Sequence, residues 1–247
     1  MPAELAKRYF AELYRLLEKA EHSQIDSIVQ AGKVIADAII LGGTLHIFGT
    51  GHSHMLAEEL YVRAGGLACV NAILEPSLML HEDPVRATKL ERQEGLAAEI
   101  LAKHEMRAGD VLIVVSNSGR NPVPIEMALL ARERGLMVIA LTSLDHSQAV
   151  NSRHSSGRRL FAVADIVLDN GGEVGDAVLE VEGHPTKACP TSTVIGAAIL
   201  NAVVGTAIEE LLSMGIAPPV LVSSNVNGSQ NARGGLSNPA GTSHEMD

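Results

Sequence analysis

Leu45-His-Ile-Phe-Gly-Thr-Gly-His-Ser-His54 is a short apolar run, a turn bearing two glycines and a serine, and the start of a helix. A strand running through Gly-x-Gly-x-Ser into a helix gathers backbone N–H groups and a hydroxyl at a positive helix end, where an anion can sit. Gly49 and Gly51 allow the main chain to come close to such a ligand. Taken alone the turn is ordinary, because glycine is the usual turn residue. Its meaning depends on what surrounds it.

Downstream, apolar and often β-branched runs predict further strands over 68–74, 111–115, 138–141 and 166–168, beside the first at 45–48. Helical patterns fill the intervals at 54–64, 88–103 and 124–134, and another covers 193–213. Alternation of this kind predicts right-handed crossovers and a parallel sheet with helices on both faces. Upstream, Leu5, Tyr9, Leu13, Leu16, Leu17, Ile25, Ile28, Val29, Ile35 and Ile39 take three- and four-residue steps. They predict a leading helix over 3–41, ended by Gly42-Gly43. A polar loop over 143–159 is expected to hold a helical turn near 148–152. The Asn-, Gly- and Ser-rich tail is expected to be flexible from about residue 233. The division expected is 1–42 as a helical segment, 43–224 as the α/β domain and 225–247 as the tail.

Composition narrows the function. Hydrophobic residues make up 46%, enough for a packed core, whereas aromatics are only 2% with no Trp, so stacking on bases is disfavoured. With 19 basic and 29 acidic residues the net charge is −10, which argues against nucleic acid as a partner. An anionic ligand would have to be held by local dipoles against that field. Cys69 and Cys189 have no Cys-x-x-Cys spacing and read as reduced thiols. No signal segment and no uninterrupted apolar run of spanning length are evident, so a soluble, cytoplasmic protein without a membrane partner is expected.

In doubly wound sheets, ligands bind beyond the carboxyl ends of the strands. Those ends carry Gly49-Thr50-Gly51-His52-Ser53, then Ser116-Asn117-Ser118-Gly119-Arg120-Asn121, then Thr142-Ser143. Small hydroxyls at three strand ends suit a phosphate site; helix capping and turn formation are the alternative for each residue. His52 and His54 invite a zinc reading, but no matching Cys or carboxylate pattern is near, and no metal or cofactor is expected. No Gly-x-Ser-x-Gly elbow appears, and the glycine turn fails Gly-x-Gly-x-x-Gly.

The glycine turn and the run Gly109-Asp-Val-Leu-Ile-Val-Val-Ser-Asn-Ser-Gly-Arg-Asn121 together resemble the SIS (sugar isomerase) domain family. Lys187-Ala-Cys-Pro-Thr-Ser-Thr193, followed by an Ala-rich helix with Asn201, is similar to the matching segment of SIS etherases and isomerases. The resemblance implies a flavodoxin-like three-layer sandwich with a five-stranded sheet, a phosphosugar ligand and a homodimer. It implies phosphate contacts from Ser53, Ser116, Ser118 and the backbone around His52. Gly51, Asn117, Asn121, Thr142 and Lys187 complete the expected binding set. Some relatives carry a catalytic Glu fourteen residues past the first turn glycine. Arg63 stands there, and Glu59 lies one helical turn earlier, either as a shifted carboxylate or as an i,i+4 partner of Arg63. Glu91 and Glu94, three apart and expected on one helix face, are further candidates for acid and base. His184 is a candidate for proton transfer in ring opening. The function expected is an amino-sugar 6-phosphate enzyme, best matched by N-acetylglucosamine 6-phosphate, that takes the C2 proton and eliminates water at C3. An aldose–ketose isomerase and a non-catalytic phosphosugar sensor are the alternatives.

Overall fold

The computed structural model describes residues 3–223 and residue 225; the tail from about residue 233 lies outside them. Strands β1 (Leu45–Gly49), β2 (Val70–Ile73), β3 (Val111–Val115), β4 (Met137–Thr142) and β5 (Ile166–Asp169) form one parallel sheet in the order β2-β1-β3-β4-β5. This is the flavodoxin-like doubly wound order, whose switch point lies between β1 and β3. The helices are α1 (Glu4–Ile40), α2 (His54–Leu60), α3 (Pro84–Leu90), α4 (Leu96–Leu101), α5 (Pro122–Glu133), α6 (Leu144–Ala149) and α7 (Ser192–Ser213). An antiparallel hairpin of β6 (Ala177–Leu179) and β7 (Ala188–Pro190) precedes α7.

The strands are apolar throughout because each faces a core on both sides. From β3, Val111, Ile113 and Val115 pack with α1, α2 and α7, while Leu112 and Val114 pack with α4 and α5. On α1 the apolar stripe divides: Leu13, Leu16, Ile28 and Ile35 are buried, whereas Leu17, Ile25 and Val29 remain exposed. Gly32 lets α7 pass close by, since a β-carbon there would lie 2.6 Å from Thr206 Cβ and 3.0 Å from the Ala207 nitrogen. By length and composition α7 could cross a membrane, which an uninterrupted apolar run did not suggest. Its apolarity is explained by burial of Ile195, Ile199, Leu200, Val203, Ala207 and Leu211 in the core.

Several expectations are corrected. The helix expected over 88–103 is two helices, broken by a turn that ends at Gly95 with φ +90°. Glu91 closes α3 and Glu94 lies in that turn, so they do not share a helix face. The helix from His54 stops at Leu60, and the chain then passes through Val62 at φ +45°. The turn expected near 148–152 is α6, earlier in the loop, where the Ser143 hydroxyl caps it by accepting from His146 N. The β6–β7 hairpin had no alternation long enough to reveal it.

At the amino end of the sheet, opposite the strand ends that carry the glycine turns, Asp110 ties the loops together. Its carboxylate accepts from Thr44 N (2.9 Å) and Arg107 N (2.8 Å) and lies 3.2 Å from His46 Nε2. Burial holds His46 below its ordinary pKa, against the opposing pull of Asp110. Burial would raise Asp110, but the bonds from Thr44, Arg107 and His46 outweigh it and hold it low. Both groups therefore contribute stability that is present above their ordinary pKa values and lost as the pH falls. The thermal midpoint is expected to drop on acidification from about pH 7 to about pH 5, where an unfolded His gains a proton that buried His46 resists. Thermal melts of His46→Asn should show a flatter dependence across this window; an unchanged slope would contradict the account.

Candidate phosphate and sugar site

The parallel register brings the carboxyl ends of β1, β3, β4 and β5 to one edge. After β1, a β-carbon on Gly49 would sit 2.5 Å from the Ser53 carbonyl, and Gly51 takes φ +55°, so the turn requires glycine at both places. This tight turn brings His52 and Ser53 into a cavity shared with Asn117, Asn170, Asp176 and Ser192. Leu56, Val115 and Leu141 form its apolar wall.

The hydroxyls at the strand ends separate into two groups. Ser116 and Thr142 are buried; Ser116 Oγ accepts from Gly119 N (3.3 Å) and Thr142 Oγ1 donates to the Asn117 carbonyl (3.1 Å). Both brace the turn. Ser53 precedes α2 and Asn121 precedes α5, yet neither side chain caps its helix. Capping therefore accounts for Ser143 and leaves Ser53 and Asn121 available for other contacts.

On the other flank of the 116–121 turn, the expected residues Asn121 and Glu91 meet arginines that the expected set did not include. Arg153 Nη1 donates to Asn121 Oδ1 (2.8 Å), and Arg153 N to the Arg120 carbonyl (2.8 Å). Burial lowers the Arg153 pKa first, then the positive charges of Arg120 and Arg92, with Glu91 opposing. Glu91 reaches the glycine turn itself, where Thr50 Oγ1 donates to its carboxylate at 2.6 Å. Arg92 and Arg120 thus lie near enough to Arg153 to repel it and Glu91 near enough to attract it, so three guanidinium groups and one carboxylate share one patch in a chain of net charge −10. Local cations, beyond the dipoles expected from sequence, oppose the global field. Burial also lowers His146, with Asp176 opposing the effect and Arg120 adding to it.

Five buried side-chain polar atoms lack a protein partner among the described residues: Asn117 Nδ2, Arg120 Nε, His146 Nδ1, Ser147 Oγ and Thr191 Oγ1. All lie in the segments that follow β3 and β4 or lead into α7. Unpaired buried polar atoms are costly, and their concentration at one edge is the mark of a polar binding site.

Other expected residues lie elsewhere. Glu59 is held by Arg63 Nη1 (2.6 Å) and Asn201 Nδ2 (3.1 Å), outside the cavity lining. Glu94 is exposed and accepts from Ser155 N at 2.5 Å. His184 and Lys187 are on the exposed β6–β7 hairpin, lining a separate hollow with Arg8; Lys187 Nζ lies 2.5 Å from Glu173. His54 Nδ1 turns back to the Gly51 carbonyl, and its Nε2 lies 3.9 Å from Glu58. Conversely, Asn170 and Asp176 were missed, although Asp169-Asn-Gly-Gly172 follows β5 as the glycine turn follows β1. Asp176 takes φ +71°, rare for a residue with a β-carbon, and its carboxylate accepts from Thr191 N, Ser192 N and Ser192 Oγ.

This fold and site define a class. Residues 8–143 match the family model described as SIS domain, and the chain belongs to the SIS domain family. Its similarity to a UPF0309 protein of Halalkalibacterium halodurans is 47% identity over 214 residues, covering 87% of this chain and 88% of the relative. A UPF0309 protein of Caldanaerobacter subterraneus is also 47% identical, over 90% of this chain and 92% of its own. Among solved structures, a phosphoheptose isomerase from Neisseria gonorrhoeae superposes with TM-score 0.55 at 21% identity, over 85% of this chain and 98% of that one. The Vibrio vulnificus NanR protein complexed with ManNAc-6P gives TM-score 0.53 at 18% identity, over 87% of this chain and 66% of that one.

Replacing Arg120 with Gln is expected to weaken binding of a sugar phosphate about tenfold or more, as a charge-assisted hydrogen bond is worth about 1.5–3 kcal/mol. Calorimetric titration with N-acetylglucosamine 6-phosphate measures it; an unchanged Kd would remove Arg120 from the site.

Proposed function

We propose that the chain is a phosphosugar enzyme acting on an amino-sugar 6-phosphate, with N-acetylglucosamine 6-phosphate as the preferred candidate. The observation that carries this reading is Glu91, a carboxylate bonded to Thr50 of the glycine turn and flanked by Arg92, Arg120 and Arg153. The guanidinium groups, with Ser53 and Ser118, take the phosphate; Glu91 takes the C2 proton of the open-chain aldehyde. The electron pair left by that proton forms the enolate across C1 and C2. It then returns to form C2=C3 as the C3–O bond breaks, and the departing hydroxyl gains a proton from His52 and leaves as water. An N-acetylated C2 carries no hydroxyl to become a ketose carbonyl, so elimination rather than isomerisation is its natural outcome. Phosphoheptose isomerase and a protein complexed with ManNAc-6P stand among the relatives in fold, which accords with a sugar phosphate ligand.

A homodimer accompanies this reading. Phe10, Tyr14 and Ile25 are exposed on α1, beside a groove floored by Ala198 and Ala202 of α7. A second copy of this long, mainly apolar face would cover them. Sedimentation should give a dimer at micromolar concentration and a shift toward monomer for Ile25→Asp; a wild-type monomer would overturn it.

Turnover of N-acetylglucosamine 6-phosphate should produce a conjugated enal absorbing in the ultraviolet. Glu91→Gln should bind the sugar phosphate and lose at least about a hundredfold in kcat, the usual scale for a general base. Tight binding without turnover by the wild-type protein would favour the sensor. Full activity in Glu91→Gln would exclude Glu91 as the base.

A further inference from the structure

We infer that Glu94, Glu126 and His154 form a binding site for a divalent transition-metal ion of the zinc class, outside the sugar cavity. A ligand atom from each lies within 4.8 Å of the other two. Donors sharing one tetrahedral ion at about 2.0–2.2 Å lie roughly 3.3–3.6 Å apart, and exposed Glu94 can move in to close the difference. Among the described residues neither carboxylate has a Lys or Arg partner; the basic group facing Glu126 is the His154 imidazole, at 3.7 Å, too far for a hydrogen bond. Two carboxylates and an imidazole hold net negative charge in one place, and a divalent ion balances it.

The surroundings orient the ligands. Glu126, on α5, receives Gly95 N on both oxygens (3.0 and 2.8 Å), which aims the carboxylate without using all its lone pairs. Glu94 receives Ser155 N (2.5 Å). His154 Nδ1 accepts from Ser156 N (3.2 Å) and lies 2.7 Å from the Ser156 hydroxyl, which holds the ring with Nε2 toward Glu126. His154 and Glu126 side chains are only 10% and 15% exposed, so the site has a shielded wall and an open side for water as a further ligand. One imidazole with two carboxylates suits zinc or manganese better than magnesium, which favours oxygen ligands alone. The ion would clasp the 150–159 loop to the turn before α4 and to α5.

Metal binding is read by stability and spectroscopy, so its outcome is independent of the phosphosugar reading. Chelator-treated full-length protein should bind one equivalent of Zn2+ with a rise in thermal midpoint, and should give a Co2+ spectrum with visible ligand-field bands. Magnesium at the same concentration should cause no rise. His154→Ala and Glu126→Gln should each weaken Zn2+ binding about tenfold or more, on the scale of losses at built metal sites. Circular dichroism identifies a variant that fails to fold, and the exposed Glu94→Gln then serves as the second test. No Zn2+-dependent shift in the wild type, or equal binding by folded His154→Ala and Glu94→Gln, would overturn the proposal.

Discussion

The turn after β3 is held from three sides, and the rest of the site depends on it. The Asn117 carbonyl accepts both Thr142 Oγ1 (3.1 Å) and Ser143 N (3.0 Å), pinning the end of β4 to the end of β3. Gly119 takes φ +55°, and a β-carbon there would stand 2.9 Å from Ser147 Oγ and 3.2 Å from Thr142 Oγ1. Its carbonyl accepts Leu160 N, closing the far end of the 143–159 loop onto the same turn. With the backbone so fixed, Asn117 faces the cavity while Arg120 and Asn121 meet Arg153 on the opposite flank. Geometry set by the main chain is what allows a small patch of charge to be placed reproducibly.

That placement answers an electrostatic problem. A chain of net charge −10 repels anions at long range, but the repulsion of exposed charges is screened beyond about 10 Å in ordinary salt. Arg92, Arg120 and Arg153 act inside that distance; Arg120 is half-buried, and Arg92 and Arg153 meet the same patch from the exposed side. Each contributes from a different segment: the turn after α3, the turn after β3 and the polar loop. Folding therefore assembles a cation site that no run of basic residues announces. Glu91 sits within the same cluster, so on the proposed reading one arrangement would serve both anion binding and proton abstraction.

The sheet was readable because buried parallel strands leave short β-branched runs, and the rule that ligands sit beyond the strands' carboxyl ends pointed to the edge where the cavity lies. Local chemistry was less readable. Gly95 marks the end of a turn, but within a polar helical pattern its positive φ was not evident, and so Glu91 and Glu94 were placed on one face. Thr142 and Ser116 have the residue types of a phosphate site, yet their hydroxyls are used within the turn. Arg153 lies 32 residues from Asn121, and nothing in a polar loop distinguishes it from a solvated charge. His184 and Lys187 were placed by family likeness, and their exposed hairpin was too short to detect by alternation. The apolar stripe on α1 was visible, but which half faces the core depends on where α7 crosses at Gly32.

The central claim is that Glu91 is the group that meets the sugar carbon, with the arginines on the phosphate. The structure of the protein with bound N-acetylglucosamine 6-phosphate tests it most directly. The account predicts the phosphate against Arg120 and Arg153, and a Glu91 carboxylate oxygen within about 3.2 Å of C2, the reach of proton transfer. A phosphate bound away from both arginines, or Asp176 rather than Glu91 against C2, would contradict it.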